Sequence, residues 1–356
     1  MNRLAVRLAA LLAVAALAAC AARPGAESGS RDERFYSFEQ AGGAGRRLIP
    51  TTTLDGHMAR SAGAAASVLQ VLTGSNPATA LVRMPTAVAA SEHGVFILDE
   101  TTHALYRFRW TAEGRADGTP GGEFKQLRTL TDLEEPTDLH VSNDGDVFVS
   151  DGAGRKVVQY NKDADQIRVF TDTDNLNRPV AVTTDKRGLR VFVADGLFDR
   201  VVAFNRAGIS LYGIGARGDE EGGLRNVRDM VQGPDGLLYV VDGIHRRISV
   251  FGLDGSYLST FGQDTFTDPG GIAVDEEGRV YLADGFNHQI VIFSGGRVVE
   301  VYGKPGAGPG EFHSPGSLAY HQGRLYVVDR RNARIQVFRV VPEKDARERR
   351  SAGAAP

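Results

Sequence analysis

An all-β chain folded as a six-bladed β-propeller is what this sequence predicts, on three observations. The segment RVYLADGFNHQIVIF, residues 279–293, recurs in variant form from Gly94, Asp146, Arg190, Leu237 and Arg324. Each copy ends its first apolar run on an aspartate: Asp99, Asp151, Asp195, Asp242, Asp284 and Asp329. The intervals are 52, 44, 47, 42 and 45 residues, a period typical of repeats that each supply one four-stranded unit. No helical period is found after residue 66.

Each copy reads as a strand, a tight polar turn and a second strand. A short apolar run precedes it, as in PGGIAVDEEG (269–278) and PVAVTTDKRG (179–188), and another follows, as in RVVEVYG and SYLSTFG. Four such strands make one blade. An aromatic ring falls nine residues after every repeated aspartate (Phe108, Tyr160, Phe204, Phe251, Phe293, Phe338), so these six are expected in the core. The last repeat offers PGSLAY, RLYVVD and ARIQVFRVV but no fourth strand. SVLQVLTG, residues 67–74, resembles the fourth-strand segments, so an N-terminal strand there is expected to close the last blade and remove two open sheet edges. The propeller would then span 67–340, after a lead-in at 46–66.

The ends carry a different signal. MNRLAVRLAALLAVAALAAC has a basic start, an Ala/Leu stretch and small residues before a cysteine, so residues 1–19 read as an export signal. Leu17-Ala18-Ala19-Cys20 resembles a bacterial lipobox, in which the thiol takes a lipid, and Cys20 is the single cysteine of the chain. No intrachain disulfide is then possible, and stability rests on packing. Residues 20–45, rich in Ala, Gly, Ser and Arg, read as a tether from the lipidated cysteine, and 341–356 as a solvated charged tail. Ala21 after the cysteine, by resemblance to sorting in Gram-negative bacteria, implies the outer membrane facing the periplasm. The 356 residues are 42% hydrophobic and 24% charged, which excludes disorder and a multi-span membrane protein. A net charge of −3 gives no bulk pull on nucleic acid.

The stretches YGKPGAGPGEFHSPG (302–316) and YGIGARGDEEGGL (212–224), with the Asp-x-x-Asn frames at Asp284 and Asp329, resemble NHL repeats over nearly all of 80–340. That resemblance implies a binding platform more often than an enzyme. Six-bladed relatives also include zinc-dependent amidating lyases and lactonases, which hold a metal among His or carboxylate groups at the channel.

Function is expected where a repeated position stops repeating. The repeated aspartates are expected to cap backbone N–H groups. The turns after them carry Arg155, Arg246 and His288, and a locally positive rim there would favour anionic groups on a partner. Lys156, Arg200, Arg247 and Arg334, five residues after their aspartates, are instead expected to pair with them. At the start of the inner strand five copies read Pro-x-x and the fourth has Arg228-Asp229 without the Pro; Asp138 and Asp229 put carboxylates in two copies where the others have small residues, and Asp138 is followed by His140. Two readings stand for these carboxylates: they hold a cation or an amine, or they hydrogen-bond neighbouring inner strands. Two insertions break the repeat length. Residues 110–124, with the one Trp, go to the opposite face, and 216–226 form a charged flap.

The function expected is an envelope-anchored propeller that binds a protein or an anionic polymer, needs no cofactor and binds no nucleic acid. The rival is a metal-dependent lyase or lactonase-like enzyme, with a divalent cation at the channel mouth.

Overall fold

The computed structural model describes residues 48–54, 82–111 and 121–342. Within them lie six four-stranded antiparallel sheets. Blade 1 comprises Pro85–Ser91, Gly94–Asp99, Ala104–Thr111 and Gly121–Thr129; blade 2 comprises Pro136–Val141, Val147–Asp151, Lys156–Tyr160 and Gln166–Phe170. Blade 3 runs through Pro179–Thr184, Arg190–Asp195, Arg200–Asn205 and Ser210–Ile214, and blade 4 through Val227–Gln232, Leu238–Asp242, Arg247–Phe251 and Tyr257–Phe261. Blade 5 takes Pro269–Val274, Val280–Asp284, Gln289–Ser294 and Arg297–Tyr302. Blade 6 takes Pro315–His321, Arg324–Asp329 and Arg334–Val340, with Leu48–Leu54 as its fourth strand.

The first strands of successive blades touch one another all the way round, so they form the inner ring. Because the strands alternate in direction, the links into each blade and the turns between second and third strands emerge on one face, here the turn face. The middle strands are buried on both sides, as in the all-buried Val147–Asp151, because each blade is packed between two others. One apolar cluster fills each of the six blade interfaces. The six repeated aromatics are at most 1% exposed and lie in these clusters. Truncating any one to Ala would cost about 3–5 kcal/mol.

An N-terminal strand does close the ring, but not the expected one. Leu48–Leu54 pairs antiparallel with Arg334–Val340, from Leu48 opposite Val340 to Leu54 opposite Ile335, and so takes the edge assigned to 67–74, which lie outside the described residues. The physical reason is double-sided packing. Leu48 enters the cluster between blades 5 and 6, and Leu54 the cluster between blades 6 and 1. The propeller therefore starts at 48, inside the supposed lead-in of 46–66. It also runs past 340: Val341 is buried, and its carbonyl accepts a 2.9 Å hydrogen bond from Arg279.

The repeated aspartates are scaffold, as their periodicity implies. All six are at most 1% exposed. Each accepts at least one backbone N–H from the link leading into its blade, for example Arg83 and Met84 on Asp99, Glu135 on Asp151 and His313 on Asp329. Asp195 also accepts Leu197 and Phe198 N–H from the turn beyond it, at 2.8 and 2.7 Å.

Candidate functional site

The turn face is built from six equivalent turns. The fourth residue after each repeated aspartate has a left-handed backbone: His103, Arg155, Asp199, Arg246, His288 and Ala333, with φ between 46° and 56°. Three of the sequence-predicted residues, Arg155, Arg246 and His288, thus occupy one repeated position. Their strain belongs to the turn and recurs in every blade, so it is no mark of a site.

The chemistry around these residues departs from a cationic rim. Arg246 pairs with Asp264 at 2.8 Å. The His288 ring accepts the Ser314 N–H on Nδ1 at 2.9 Å and lies edge-on to His313. Arg155 is exposed. Elsewhere on the face Arg217 pairs with Asp199, Arg178 with Glu135 and Arg330 with Glu100. Arg178, Arg217, Arg246 and Arg330 are therefore each paired with a carboxylate. His245, in the turn that also carries Arg246, has its Nδ1 2.7 Å from the buried Asp242 and its Nε2 3.0 Å from Asp219.

Asp138, Arg228 and Asp229 are brought together at the channel mouth. A cavity of about 660 Å³ there is lined by these three together with Arg178, Leu197 and Arg330, among others. Below it the channel narrows to about 130 Å³, with Asp138 and Asp229 still on its wall beside His140. Arg155, Arg246 and His288 do not line this space.

The inner ring has a threefold rather than a sixfold pattern. The third residue of each inner strand is Ala87, Asp138, Ala181, Asp229, Gly271 or Ser317. The polar ones stand in blades 2, 4 and 6, and each reaches into the next blade. Val182 N–H donates to Asp138 Oδ2 at 3.0 Å, Ile272 N–H to Asp229 Oδ2 at 2.9 Å, and Val88 N–H to Ser317 Oγ at 3.1 Å. An ion pair on the turn face crosses the same three interfaces: Arg178–Glu135, Arg228–Asp268 and Arg330–Glu100. At this inner position three blade-to-blade junctions are thus clasped by polar contacts. Small residues serve the others: a side chain on Gly271 would stand 2.6 Å from Leu318 N, in blade 6.

The hydrogen bond between inner strands, one of the two readings of the carboxylates, is observed. Burial raises both Asp138 and Asp229 above the ordinary carboxylate range, and the charge of Asp138 raises Asp229 as well. The pair therefore holds a proton to higher pH than surface carboxylates do. Burial pushes the His140 imidazole down to about 4, and its Nε2 lies 2.9 Å from Thr184 Oγ1. Among the described residues no group of three or more His, Cys, Asp or Glu side chains is placed to hold a metal ion. The donor set at the channel does not fit the metal centre that the lyase resemblance implies.

Other expectations are corrected by the packing. Trp110 belongs to the third strand of blade 1, not to a free loop: its Nε1–H donates to the Tyr326 hydroxyl at 3.2 Å and Arg324 lies over its ring. Residues 112–120 of that insertion lie outside the described residues. The 216–226 flap is folded structure, with Ala216–Arg217 pairing in parallel with Gly223–Leu224 and Leu224 fully buried. Lys156, Arg247 and Arg334 pair with their aspartates as expected, but the Arg200 guanidinium donates to the Asn175 carbonyl instead. Cys20 lies outside the described residues.

The NHL repeat model matches residues 266–293 and 312–338, the fifth and sixth blades. The human NHL repeat-containing protein 3 is 31% identical over 96 residues, 26% of this chain and 28% of that protein. The rat peptidylglycine alpha-amidating monooxygenase is 39% identical over 95 residues, 24% of this chain and 10% of that one. The chain thus spans less than a third of the length of either relative. Among solved structures, a streptogramin B lyase superposes with a TM-score of 0.53 at 15% identity, covering 74% of this chain and 85% of the lyase. A chain of a nidogen/laminin complex superposes with a TM-score of 0.52 at 18% identity, covering 68% and 92%. These two likenesses establish the fold alone. Six sheets around a channel and two matched repeats agree on one description: the chain is a six-bladed β-propeller with NHL repeats in its last two blades.

Proposed function

We propose that this protein is a binding module of the bacterial cell envelope, held to a membrane through a lipid on Cys20, and that its turn face receives a protein partner. One observation supports this above the others: the channel-side carboxylates that would serve chemistry are engaged in clasping one blade to the next. The second oxygen of Asp229 accepts the Met230 N–H at 2.7 Å, and the Nε2 of the buried His140 lies against Thr184 Oγ1. The position of the ends agrees with the reading. Leu48 and Val340 pair at the face opposite the turns, so the residues before 48 and after 341 join the propeller there, whereas 55–81 leave and rejoin it on the turn face at blades 6 and 1. Paired rather than free cations favour a protein over an anionic polymer. The lyase reading draws on a likeness of fold only.

Membrane fractionation tests the anchor. The wild-type chain is expected in the membrane fraction, in the outer membrane. Cys20→Ser should be released in soluble form or keep its signal segment. A Cys20→Ser protein that is cleaved normally and stays membrane-bound would rule the anchor out.

A further inference from the structure

The second residue after the repeated aspartate sits at the tip of each turn and reads Thr101, Ala153, Leu197, Ile244, Phe286 and Arg331 around the ring. Three consecutive blades, 3 to 5, therefore carry a large apolar side chain there, and all three are open to solvent: Leu197 47%, Ile244 60% and Phe286 69% exposed. Packing does not call for them, because small or polar residues fill the same position in the other blades. Further exposed apolar residues, such as Ile167, Ile209 and Leu258, belong to the outer strands or the turn beside them. The three tips instead form an arc on the turn face, and Leu197 borders the channel mouth.

The surroundings of the arc narrow what can cover it. Arg217, Arg228 and Arg246, which lie in the same three blades and links, are paired with Asp199, Asp268 and Asp264 at 2.8, 3.2 and 2.8 Å. An apolar centre bordered by charges of both signs suits a protein surface and gives a polyanion no field to follow. The chain's ends join the propeller on the other face, and residues 55–81, outside the described residues, leave and rejoin it at blades 6 and 1, across the ring from blades 3 to 5. Packed sheets stand about 10 Å apart, so successive tips are about that far from each other. A polyproline-II segment brings every third side chain to the same side at about 9 Å intervals. We infer that the arc Leu197–Ile244–Phe286 is a docking surface for an extended segment of a partner protein, with apolar side chains at every third position seated on successive blades. This rests on the reading of the protein as a binding module and names the surface and the chemistry of its partner.

The test uses the full chain with Cys20→Ser, so that it does not depend on lipidation. The probes are fluorescent peptides of about twelve residues with three Leu or Phe at every third position, peptides of the same composition scrambled, and amphipathic helical peptides with the same residues at heptad spacing. The every-third peptides are expected to bind with Kd on the order of 10 μM. Leu197→Ser, Ile244→Ser and Phe286→Ser together should weaken them about tenfold or more. Circular dichroism and an unchanged Tm would show that the triple variant is folded. Absence of binding, equal binding to scrambled or helical peptides, or binding indifferent to the triple variant would overturn the inference. So would a concentration-dependent dimer in sedimentation that the triple variant abolishes, because the arc would then be a contact between copies. Such failures leave the anchored-module reading to stand or fall on its own fractionation and crosslinking tests.

Discussion

Asp138 and Asp229 show how a residue can look like a site and serve as a joint. Each offers one oxygen to a backbone N–H of the next blade, and each is held above the ordinary carboxylate range by burial. They bind protons more tightly in the folded than in the unfolded chain. Their contribution to stability is therefore full below the ordinary carboxylate value of 3.8 and is lost as pH rises past it toward their raised values. His140 acts in the opposite sense: its contribution is present above 6.5 and is lost as pH falls to about 4. Asp138→Asn with Asp229→Asn keeps an oxygen toward Val182 and Ile272 but removes both titrations. Thermal unfolding between pH 5 and 8 should show the double variant gaining on wild type as pH rises, by about 1 kcal/mol or more near neutrality. A constant difference across that range would show that the carboxylates are not shifted. At this scale the sequence was legible where a residue recurs, as with the six aspartates and six aromatics. The ion pairs were not legible, because Arg246 meets Asp264 only through the folding of a turn against a link 18 residues away, and Arg330 meets Glu100, 230 residues away, only through ring closure.

At the scale of strands, six copies of one pattern revealed the blades, but the closing strand was misassigned. SVLQVLTG has the better strand composition, whereas LIPTTTL contains Pro50, which counts against a strand in the middle of a sheet. Leu48–Leu54 is the outermost strand, and proline is tolerated at such an edge. Its register shifts between Pro50 and Thr52, where a residue is skipped. The strand is needed: without it Arg334–Val340 loses its outer partner, and the clusters on both sides of blade 6 lose Leu48 and Leu54. Truncation of residues 1–54 should lower Tm by roughly 10 °C or more, or cause aggregation through the exposed edge, relative to truncation of 1–46. Equal unfolding temperatures for the two proteins would refute this closure. The insertion at 216–226 was also opaque in sequence. Its Gly and charged residues read as a loose flap, yet Leu224 is buried and the Arg217 guanidinium lies 2.8 Å from Asp199.

For the molecule as a whole, the inner strands alternate around the ring between junctions clasped by Asp138, Asp229 or Ser317 and junctions closed by small residues, and polar contacts outside the inner ring cross the latter too, as from Arg107 to the Lys162 carbonyl, from Lys186 N–H to Gln232 and from Arg279 to the Val341 carbonyl. Such a ring is a rigid support, and its variable surface is the turn face. The fold class was legible because repetition makes one weak strand signal into six concordant ones. The apolar arc was not, because Leu197, Ile244 and Phe286 become neighbours only when their blades are stacked. On the function proposed above, the turn face is the working surface and the channel is structural. Site-specific photocrosslinking in intact cells tests it most directly, with a photoreactive amino acid placed at Leu197, Ile244 or Phe286 on the turn face and at Leu189 or Ile209, in turns on the opposite face. The same protein adduct is expected from all three turn-face positions and none from Leu189 or Ile209. Adducts confined to Leu189 and Ile209, or none from any position, would contradict it.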